Sequence, residues 1–277
     1  MSAFPSIDWF VLQYQDPLFI PLIVGTLYLS VFAFLFFATP WTILAYLDPK
    51  PLQKYKIQQK PFQVKKYFLP NLARITINSS IMLFIMIAIW PIFKQINTIQ
   101  TEHIPEWYII AAQIIFFIIL DDFLYYWMHR SMHHPWLLKN VHGVHHRIKN
   151  TCALDGNYFH WAEFVATGML ALLGPLIVGA HLYVVWLWII IRQFEAADGH
   201  CGYDFPKNPV KLIPFYNGAI YHDFHHSRFK GNYSGFLSYL DRWMGNTYIA
   251  AYLEYMKNKK AGLLPKEANP LNARFNK

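Results

Sequence analysis

The chain has 277 residues, of which 55% are hydrophobic, 18% are aromatic and only 14% are charged. A soluble protein usually carries about 25% charged residues, so this composition predicts an integral membrane protein and argues against a soluble enzyme. The formal net charge of +8 is not accompanied by a nucleic-acid-binding motif. The basic residues instead flank apolar segments or lie in the last 22 residues. We therefore expect contact with membrane lipids, including attraction to anionic headgroups, and no nucleic-acid partner.

Three apolar segments in the first half of the chain predict membrane-spanning helices. They occupy residues 17–40, about 75–93 and about 107–128, and a helix needs about 20 apolar residues to cross a bilayer. The third segment carries Asp121 and Asp122 near its end, and acidic residues inside a membrane need a structural or functional reason. Residues 1–16 lack the pattern of a cleavable signal peptide, so we expect the first span to direct membrane insertion.

A fourth apolar tract, residues 161–194, is too long for one ordinary span. Gly174, Pro175 and Gly179 lie near its middle, and such residues interrupt helices. The tract is therefore predicted to form a tight helical hairpin whose two arms are each near the short limit for crossing a membrane.

The basic residues around the spans predict an orientation, since loops rich in lysine and arginine face the cytoplasm. The connection between the second and third spans, KQINTIQTEHIPE, has one lysine and two glutamates. By contrast, the connection between the first two spans contains Lys50, Lys54, Lys56, Lys60, Lys65, Lys66 and Arg74. We expect this basic loop, and the histidine-rich segments described next, to face the cytosol.

Histidines are concentrated in two short stretches. Of 13 in the chain, nine lie in HRSMHHPWLLKNVHGVHH, which begins at residue 129, and in HDFHH, which begins at residue 222. Eight of these nine follow spacings that place side chains on one face of a helix: they are His129, His133, His142, His145, His146, His222, His225 and His226.

Three helix faces can bring these imidazoles into one pocket. Imidazole is a good ligand for iron, copper and zinc, and eight histidines exceed the four ligands of a tetrahedral zinc ion. The spacing therefore predicts two metal ions. His134 lies off the face that His129 and His133 share and is a weaker candidate, whereas the isolated His103 and His181 are expected to have ordinary roles.

Several acidic residues near the histidines are candidates to accept a hydrogen bond from the outer N–H of a ligating imidazole, which fixes the tautomer of the ring. Asp122 lies seven residues before His129 on the same face of the predicted helix. The other candidates are Asp198, Asp204, Asp223, Glu163 and Glu195, and Asp204 is also a candidate ligand. For each of them a solvated or helix-capping role stays open.

Other patterns narrow the alternatives. Cys152 and Cys201 are the two cysteines of the chain and do not indicate a disulfide framework. The sequence lacks the H-E-x-x-H motif of a metalloprotease and any G-x-G-x-x-G, Walker or G-x-S-x-G signature.

Five sequence blocks resemble those of the fatty acid hydroxylase superfamily, and most of all its sterol C-4 methyl oxidase (methylsterol monooxygenase) branch. The blocks are DDFLYYWMHRSMHH, KNVHGVHH, YFHWAEFVATG, IIRQFEAADGHCGYDFP and YHDFHHSRFKGNYSGFLSYLDRWMGN. Together they cover residues 121–246, nearly half of the chain. The HCGYDFP and GNY blocks favour the sterol branch.

This resemblance implies an all-α, multi-span membrane protein with a cytosol-facing histidine-rich cap that binds two iron ions. His160 is a further candidate ligand, although Trp161 replaces the proline of the family motif, and Gly143 stands where the family usually has a basic residue. The implied ligands are His129, His133, His142, His145, His146, His200, His222, His225 and His226.

The resemblance also implies an activity. Removing hydrogen from an unactivated methyl group requires a strong oxidant, which redox-active iron with O2 can supply and zinc cannot. Members of the family oxidise a sterol methyl group to alcohol, aldehyde and carboxylate, with electrons from cytochrome b5 and its NAD(P)H-dependent reductase, and a sterol dehydrogenase then decarboxylates the product. The family resides in the endoplasmic reticulum, yet the chain ends in ARFNK without a retrieval signal, so another organelle membrane stays open.

Three alternatives follow from the same residues. The first is a sister activity on the same metal site, namely fatty acid or lipid hydroxylation, sterol desaturation or sterol side-chain removal. The second is a non-catalytic membrane subunit of a larger complex, which would retain the fold. The third is a zinc-dependent membrane hydrolase, which would act without oxygen.

In each case we expect three segments in the chain. They are amino-terminal spans at 1–128, a hydroxylase-like metal domain at 129–250 that includes the hairpin, and a basic tail at 251–277.

Overall fold

A computed structural model describes residues 7–216, 218–244 and 247–262. Helices dominate this part of the chain, which contains only isolated β-bridges and no strand. The α-helices are α1 Ile7–Tyr14, α2 Thr26–Leu47, α3 Val64–Ile96, α4 Trp107–Met132, α5 Pro135–Asn140, α6 Trp161–Val178, α7 Leu182–Gly199, α8 Gly218–Arg228, α9 Tyr239–Trp243 and α10 Thr247–Lys260. The predicted all-α fold is confirmed.

Short helices of other types complete the path. A π-helix, Ile20–Gly25, leads directly into α2. The 3-10 helices are Lys50–Tyr55, His142–Arg147, Ala153–Asn157 and Pro209–Leu212.

Four helical segments in the described part of the chain are long and apolar enough to cross a membrane: Ile20–Leu47, α3, α4 and α6. The first and second of these helical segments extend beyond the predicted spans. Prolines usually end a helix, but here they lie inside helices: Pro40 in α2, and Pro70 and Pro91 in α3. Neighbouring helices and local backbone adjustments make proline tolerable in membrane helices. The chain is an integral membrane protein.

Large apolar side chains cover the outside of these helices. Phe32 on α2, Phe84 on α3 and Ile119 on α4 are exposed by 67%, 73% and 50%. Such a continuous apolar exterior is stable only against lipid or another apolar surface.

The predicted hairpin is present, but its turn lies later than the sequence indicated. Gly174 and Pro175 are inside α6, and the chain turns at Gly179, which has φ 58° and ψ 49°. This left-handed conformation favours glycine, and a Cβ atom there would lie 3.2 Å from the Thr98 carbonyl oxygen. Gly174 lies inside α6, and because it has no side chain the ring of Phe117 can approach it closely.

The two arms of the hairpin pack on different neighbours, α6 mainly against α4 and α7 mainly against α2. Trp188 anchors α7 in the core: it is fully buried, lies 6.0 Å from the ring of Phe117, and donates a hydrogen bond to the Ala171 carbonyl oxygen. Residues of both arms, together with His200 and His222, line a cavity at the end of the molecule where the histidines lie.

The histidine-rich segments gather at one end of the helices, between the carboxyl ends of α4 and α7 and the start of α6. At this end Ile57 donates a backbone hydrogen bond to Gly202. Cys152 and Cys201 are buried there as free thiols.

Candidate metal centre

Nine buried or half-buried histidines lie in two compact groups. Group A is His129, His133, His142, His146 and His225, and group B is His145, His200, His222 and His226. Within each group, one ring nitrogen of every residue lies within 4.8 Å of those of the other members. These nine are the histidines implied by the resemblance.

Each H-x-x-H-H sequence contributes to both groups in the same way. The first and last histidines of one sequence, His142 and His146, enter group A, while the middle one, His145, enters group B. In α8 the first and last, His222 and His226, enter group B, while His225 enters group A. Two reciprocal motifs therefore hold the groups side by side, which a single cluster on one helix face would not do.

His142–Arg147 is a 3-10 helix and not the α-helix that the spacing suggested. Its tighter turn still places His142 and His146 close together, with ring centroids 4.5 Å apart. His129 and His133, one turn apart at the end of α4, complete group A.

The four Nε2 atoms of group B form a closed ring. His145 to His200, His200 to His222, His222 to His226 and His226 to His145 are separated by 3.3, 3.0, 3.1 and 3.1 Å. Nitrogens bound to one ion at the usual 2.0–2.1 Å lie about 2.9–3.4 Å from one another. The observed separations fit a set of imidazoles arranged around one metal ion.

The outer nitrogens of group A fix the tautomers. The Nδ1 atoms of His129 and His225 donate to the carbonyl oxygens of Tyr233 and Gly231, each at 2.7 Å, since a carbonyl oxygen can only accept. The Nδ1 of His142 donates to Glu163 Oε1 at 2.6 Å. Three protons are thus held on the outside, and the Nε2 atoms present lone pairs to the interior.

Group B is oriented in the same manner. His200 Nδ1 donates to the Ala196 carbonyl oxygen at 2.8 Å, and His226 Nδ1 donates to that of Ile148 at 3.2 Å. The Nε2 atoms of these two residues therefore face the ring without a proton.

Facing lone pairs need a cation between them. His129 Nε2 and His142 Nε2 are 3.1 Å apart, and both rings carry their proton on Nδ1, so no hydrogen bond can join them. His133 is more telling, because both of its ring nitrogens are buried. The backbone of Phe229 is close enough to pair with one of them, which leaves the other without a hydrogen-bond partner. A buried polar atom without a partner is costly, and a metal ion in group A would remove that cost.

Burial favours the neutral form of most of these imidazoles by lowering their pKa values. Loss of solvent lowers the pKa of His200 to about 4 and, together with neighbouring His142, that of His133 to about 3. Burial also lowers the pKa values of His145, His146, His222, His225 and His226 well below the usual range. A neutral imidazole is the form that binds a metal ion.

The loop after α8, residues 231–237, supplies two of the carbonyl acceptors and is held by two buried carboxylates. Asp241 accepts hydrogen bonds from the backbone N–H groups of Tyr233 and Ser234. Asp122 accepts those of Phe236 and Leu237. Asp241 was not predicted from the sequence. Its position in the GNYSGFLSYLDRW block is the signal that could have identified it.

Asp122 does not accept from His129, because the Tyr233 carbonyl oxygen takes that hydrogen; the carboxylate holds the loop instead. His160 lies outside both groups: it caps α6, and its Nδ1 accepts from the Ala162 N–H. Neither residue is positioned as a ligand.

The three remaining aspartate candidates also have other partners, and Glu195 makes no hydrogen bond with a group histidine in the described part of the chain. Asp198 accepts from Tyr216 and Asn208, and Asp223 accepts from Gln58. Asp204 is paired with Lys211 and Lys259. These hydrogen bonds and ion pairs occupy the carboxylates, and Glu163 is the acidic residue that contacts a group histidine in the described part of the chain.

A cavity between α2, α3, α6 and α7 leads to group B. Its empty space, including the open mouth, is about 1230 Å³. Leu22, Met82 and Leu172 line the apolar part, and His200 and His222 line the far end. The group A histidines do not line it, so group B is the one that a bound molecule would meet.

Residues 114–246 match the family model described as fatty acid hydroxylase. The chain is 37% identical over 199 residues to methylsterol monooxygenase 2-2 of Arabidopsis thaliana, covering 71% of this chain and 74% of that protein. It is 36% identical to a very-long-chain aldehyde decarbonylase of Oryza sativa subsp. indica, covering 70% and 74%. It is 37% identical to methylsterol monooxygenase 1 of Gallus gallus, covering 61% and 57%. No solved structure matches the chain significantly.

Proposed function

Because the chain belongs to the fatty acid hydroxylase family, we propose that it is a membrane-bound non-haem diiron oxygenase that oxidises the C-4 methyl group of a sterol. The product sequence is alcohol, aldehyde and carboxylate. O2 is the oxidant, and the electrons come from cytochrome b5 and its NAD(P)H-dependent reductase.

The donor set supports two irons. Group A would hold one ion through five imidazoles and group B the other through four. Bound iron would supply the redox chemistry that activates O2 towards an unactivated C–H bond. The chain itself orients the imidazoles: four backbone carbonyls and Glu163 hold protons on Nδ1 and keep Nε2 free.

The cavity supports a lipid substrate. It joins an apolar region among membrane helices to His200 and His222, so a sterol could enter from the bilayer without crossing water. A sterol seated there would displace water from the reacting carbon, which would protect a strong oxidant from side reactions.

The similar proteins support a sterol as the substrate, but they also favour one further candidate substrate. Two of the similar proteins are named methylsterol monooxygenases, whereas the Oryza protein is named a very-long-chain aldehyde decarbonylase at nearly the same identity. A long-chain aldehyde is therefore the second candidate substrate. The presence of all nine histidines favours an active enzyme over a non-catalytic subunit.

We place the protein in the endoplasmic reticulum membrane with the histidine end facing the cytosol. The basic residues between α2 and α3 support this orientation, and electron delivery from a cytosolic carrier requires it. A sterol dehydrogenase that decarboxylates the product would act next. The functional segments are residues 1–128, 129–250 and 251–277; the last 15 residues, 263–277, lie outside the described part.

An oxygen-dependence assay tests the proposal. Purified protein in detergent is mixed with a 4-methylsterol, reduced cytochrome b5 and its reductase, with and without O2. We expect 4-carboxysterol in air and none under nitrogen. Conversion of a very-long-chain aldehyde alone would favour the second candidate, and equal product under nitrogen would exclude an oxygenase.

A further inference from the structure

Two polar side chains stand out among those that line the cavity. Tyr125 on α4 and Glu195 on α7 both line it beside His200 and His222. The ring of Tyr125 lies 5.2 Å from that of His129. The Glu195 carboxylate bends towards the histidine end, since its Oε1 lies 3.7 Å from the position of a Cβ atom on Gly199.

The other polar side chains of the wall satisfy one another or the backbone. Arg192 is paired with Asp121. Gln193 links Ser30 and Asn157: it donates to the Ser30 hydroxyl at 2.8 Å and accepts from Asn157 at 3.3 Å.

The threonines of the wall are satisfied as well. The Thr26 hydroxyl accepts from the Trp186 indole, and that of Thr167 donates to the Glu163 carbonyl oxygen. Among the described residues, by contrast, no hydrogen bond involves the Tyr125 hydroxyl or the Glu195 carboxylate. Unpaired polar groups in an otherwise apolar cavity are costly, so we expect a ligand to pair with them.

We propose that Tyr125 and Glu195 together bind a hydroxyl group of the substrate next to the carbon that is oxidised. A hydroxyl can donate to the carboxylate and accept from the phenol at the same time, whereas an aldehyde, ketone or ether oxygen can only accept. An accepting oxygen would face the ionised Glu195 carboxylate without a proton between them. Because burial raises the pKa of Glu195 to about 7, the selection for a hydroxyl holds at a pH well above that value, where binding is measured.

The inference rests on the proposed function and refines its substrate class. In a 4-methylsterol the 3-hydroxyl is attached to the carbon beside C-4, so it lies next to the methyl group to be oxidised. A very-long-chain aldehyde has no such hydroxyl. The pair therefore selects alicyclic alcohols over aldehydes in the same apolar cavity.

Binding without turnover tests this directly. Iron-loaded protein in detergent is held under nitrogen without reductant. Binding of a radiolabelled 4-methylsterol is compared with that of its 3-O-methyl ether, its 3-ketone, a long-chain aliphatic alcohol and a very-long-chain aldehyde. Hydrogen bonds to charged groups contribute about 1.5–3 kcal/mol, or about 10- to 150-fold. We expect the ether and ketone to bind at least about 10-fold more weakly to the unchanged protein.

Variants locate the effect. Tyr125→Phe and Glu195→Met keep the size of the side chains, and each should weaken binding of the 3-hydroxysterol about 10-fold. Glu195→Met should not weaken binding of the ether, so the preference for the alcohol is lost, whereas Tyr125→Phe should weaken the ether as well because its oxygen also accepts from the phenol. Tyr108→Phe is the matched control, because this tyrosine also lies on α4 but is exposed and outside the cavity, and it should change neither. Iron content and elution volume on size exclusion verify the fold of each variant.

The outcomes separate this inference from the proposed function. Tight sterol binding that is equal for alcohol, ether and ketone would overturn the hydroxyl site while sterol oxidation stands. If only aliphatic alcohols bind, with the same dependence on Tyr125 and Glu195, the hydroxyl site stands and the sterol proposal falls. Preferred binding of long-chain aldehydes would overturn both.

Discussion

The Nδ1 atom of His142 donates to Glu163 Oε1 across 2.6 Å, and both side chains are almost completely buried. A carboxylate in this position fixes the tautomer of the ring and raises the electron density on the opposite nitrogen. That nitrogen, His142 Nε2, lies 3.1 Å from His129 Nε2. Glu163, at the start of α6, therefore links the membrane hairpin to group A.

Removing the charge of Glu163 should weaken metal binding in group A. We expect Glu163→Gln to lower iron affinity about 10- to 100-fold, the usual effect of losing a carboxylate partner of a ligating histidine. Competition with a chelator, followed by iron analysis, measures this. Glu106→Gln, an exposed change at the start of α4, should have no effect, and equal iron retention in both variants would contradict the role of Glu163.

Single histidine changes should empty one group at a time. His225→Ala removes a group A nitrogen and His145→Ala a group B nitrogen, so each should lower the iron content from about two ions per chain to about one or fewer and abolish turnover. His160→Asn, which keeps a capping side chain at α6, is the control and should retain both ions. Full iron content in either alanine variant would refute the corresponding ligand set.

The sequence identified the histidines but not how they divide. The helical spacing brought His142, His145 and His146 together, yet on the structure His145 belongs to the other group. This division depends on the 3-10 geometry of residues 142–147 and on the position of α8 against it, and both are tertiary properties. His200 was identified through the family block, since an isolated histidine has no spacing to mark it.

The acidic residues were harder to predict for a physical reason. Asp122 has the helical register to reach His129, but the backbone of the 231–237 loop provides a carbonyl at 2.7 Å and occupies that nitrogen. Spacing along one helix cannot reveal a competing acceptor from a distant loop. The membrane spans were easier, because apolar length alone determines them. The first three spans and the first arm of the hairpin differed only in their ends and in the turn at Gly179. The second arm, α7, is not among the helices long and apolar enough to cross a membrane in the described part of the chain, since it carries Arg192, Glu195 and Asp198.

Asp241 should support group A from outside it. Asp241→Ala leaves the N–H groups of Tyr233 and Ser234 without their acceptor, at a cost of about 1–3 kcal/mol for each buried group. We expect a lower thermal midpoint and loss of iron from group A before group B. Asp241→Asn retains a side-chain oxygen and should be milder. A variant with unchanged stability and iron content would show that the loop needs no such support.

The close packing beside His200 predicts a strong effect at Gly202. This glycine has φ 74°, and a Cβ atom there would lie 2.6 Å from the Thr151 carbonyl oxygen. We expect Gly202→Ala to destabilise the protein by about 2–5 kcal/mol through overpacking and backbone strain. Gly262 has φ 67° but no described atom within 4 Å of such a Cβ, so Gly262→Ala should cost only about 1 kcal/mol. Thermal unfolding in detergent compares them, and equal shifts would contradict the steric explanation.

The most direct test of the two-group centre is metal analysis of the protein purified in detergent after growth with iron. We expect about two iron ions per chain and little zinc, because five and four imidazoles converge on two separate points. A reproducible content of one metal ion or none per chain, or zinc in place of iron, would contradict a diiron centre held by these nine histidines.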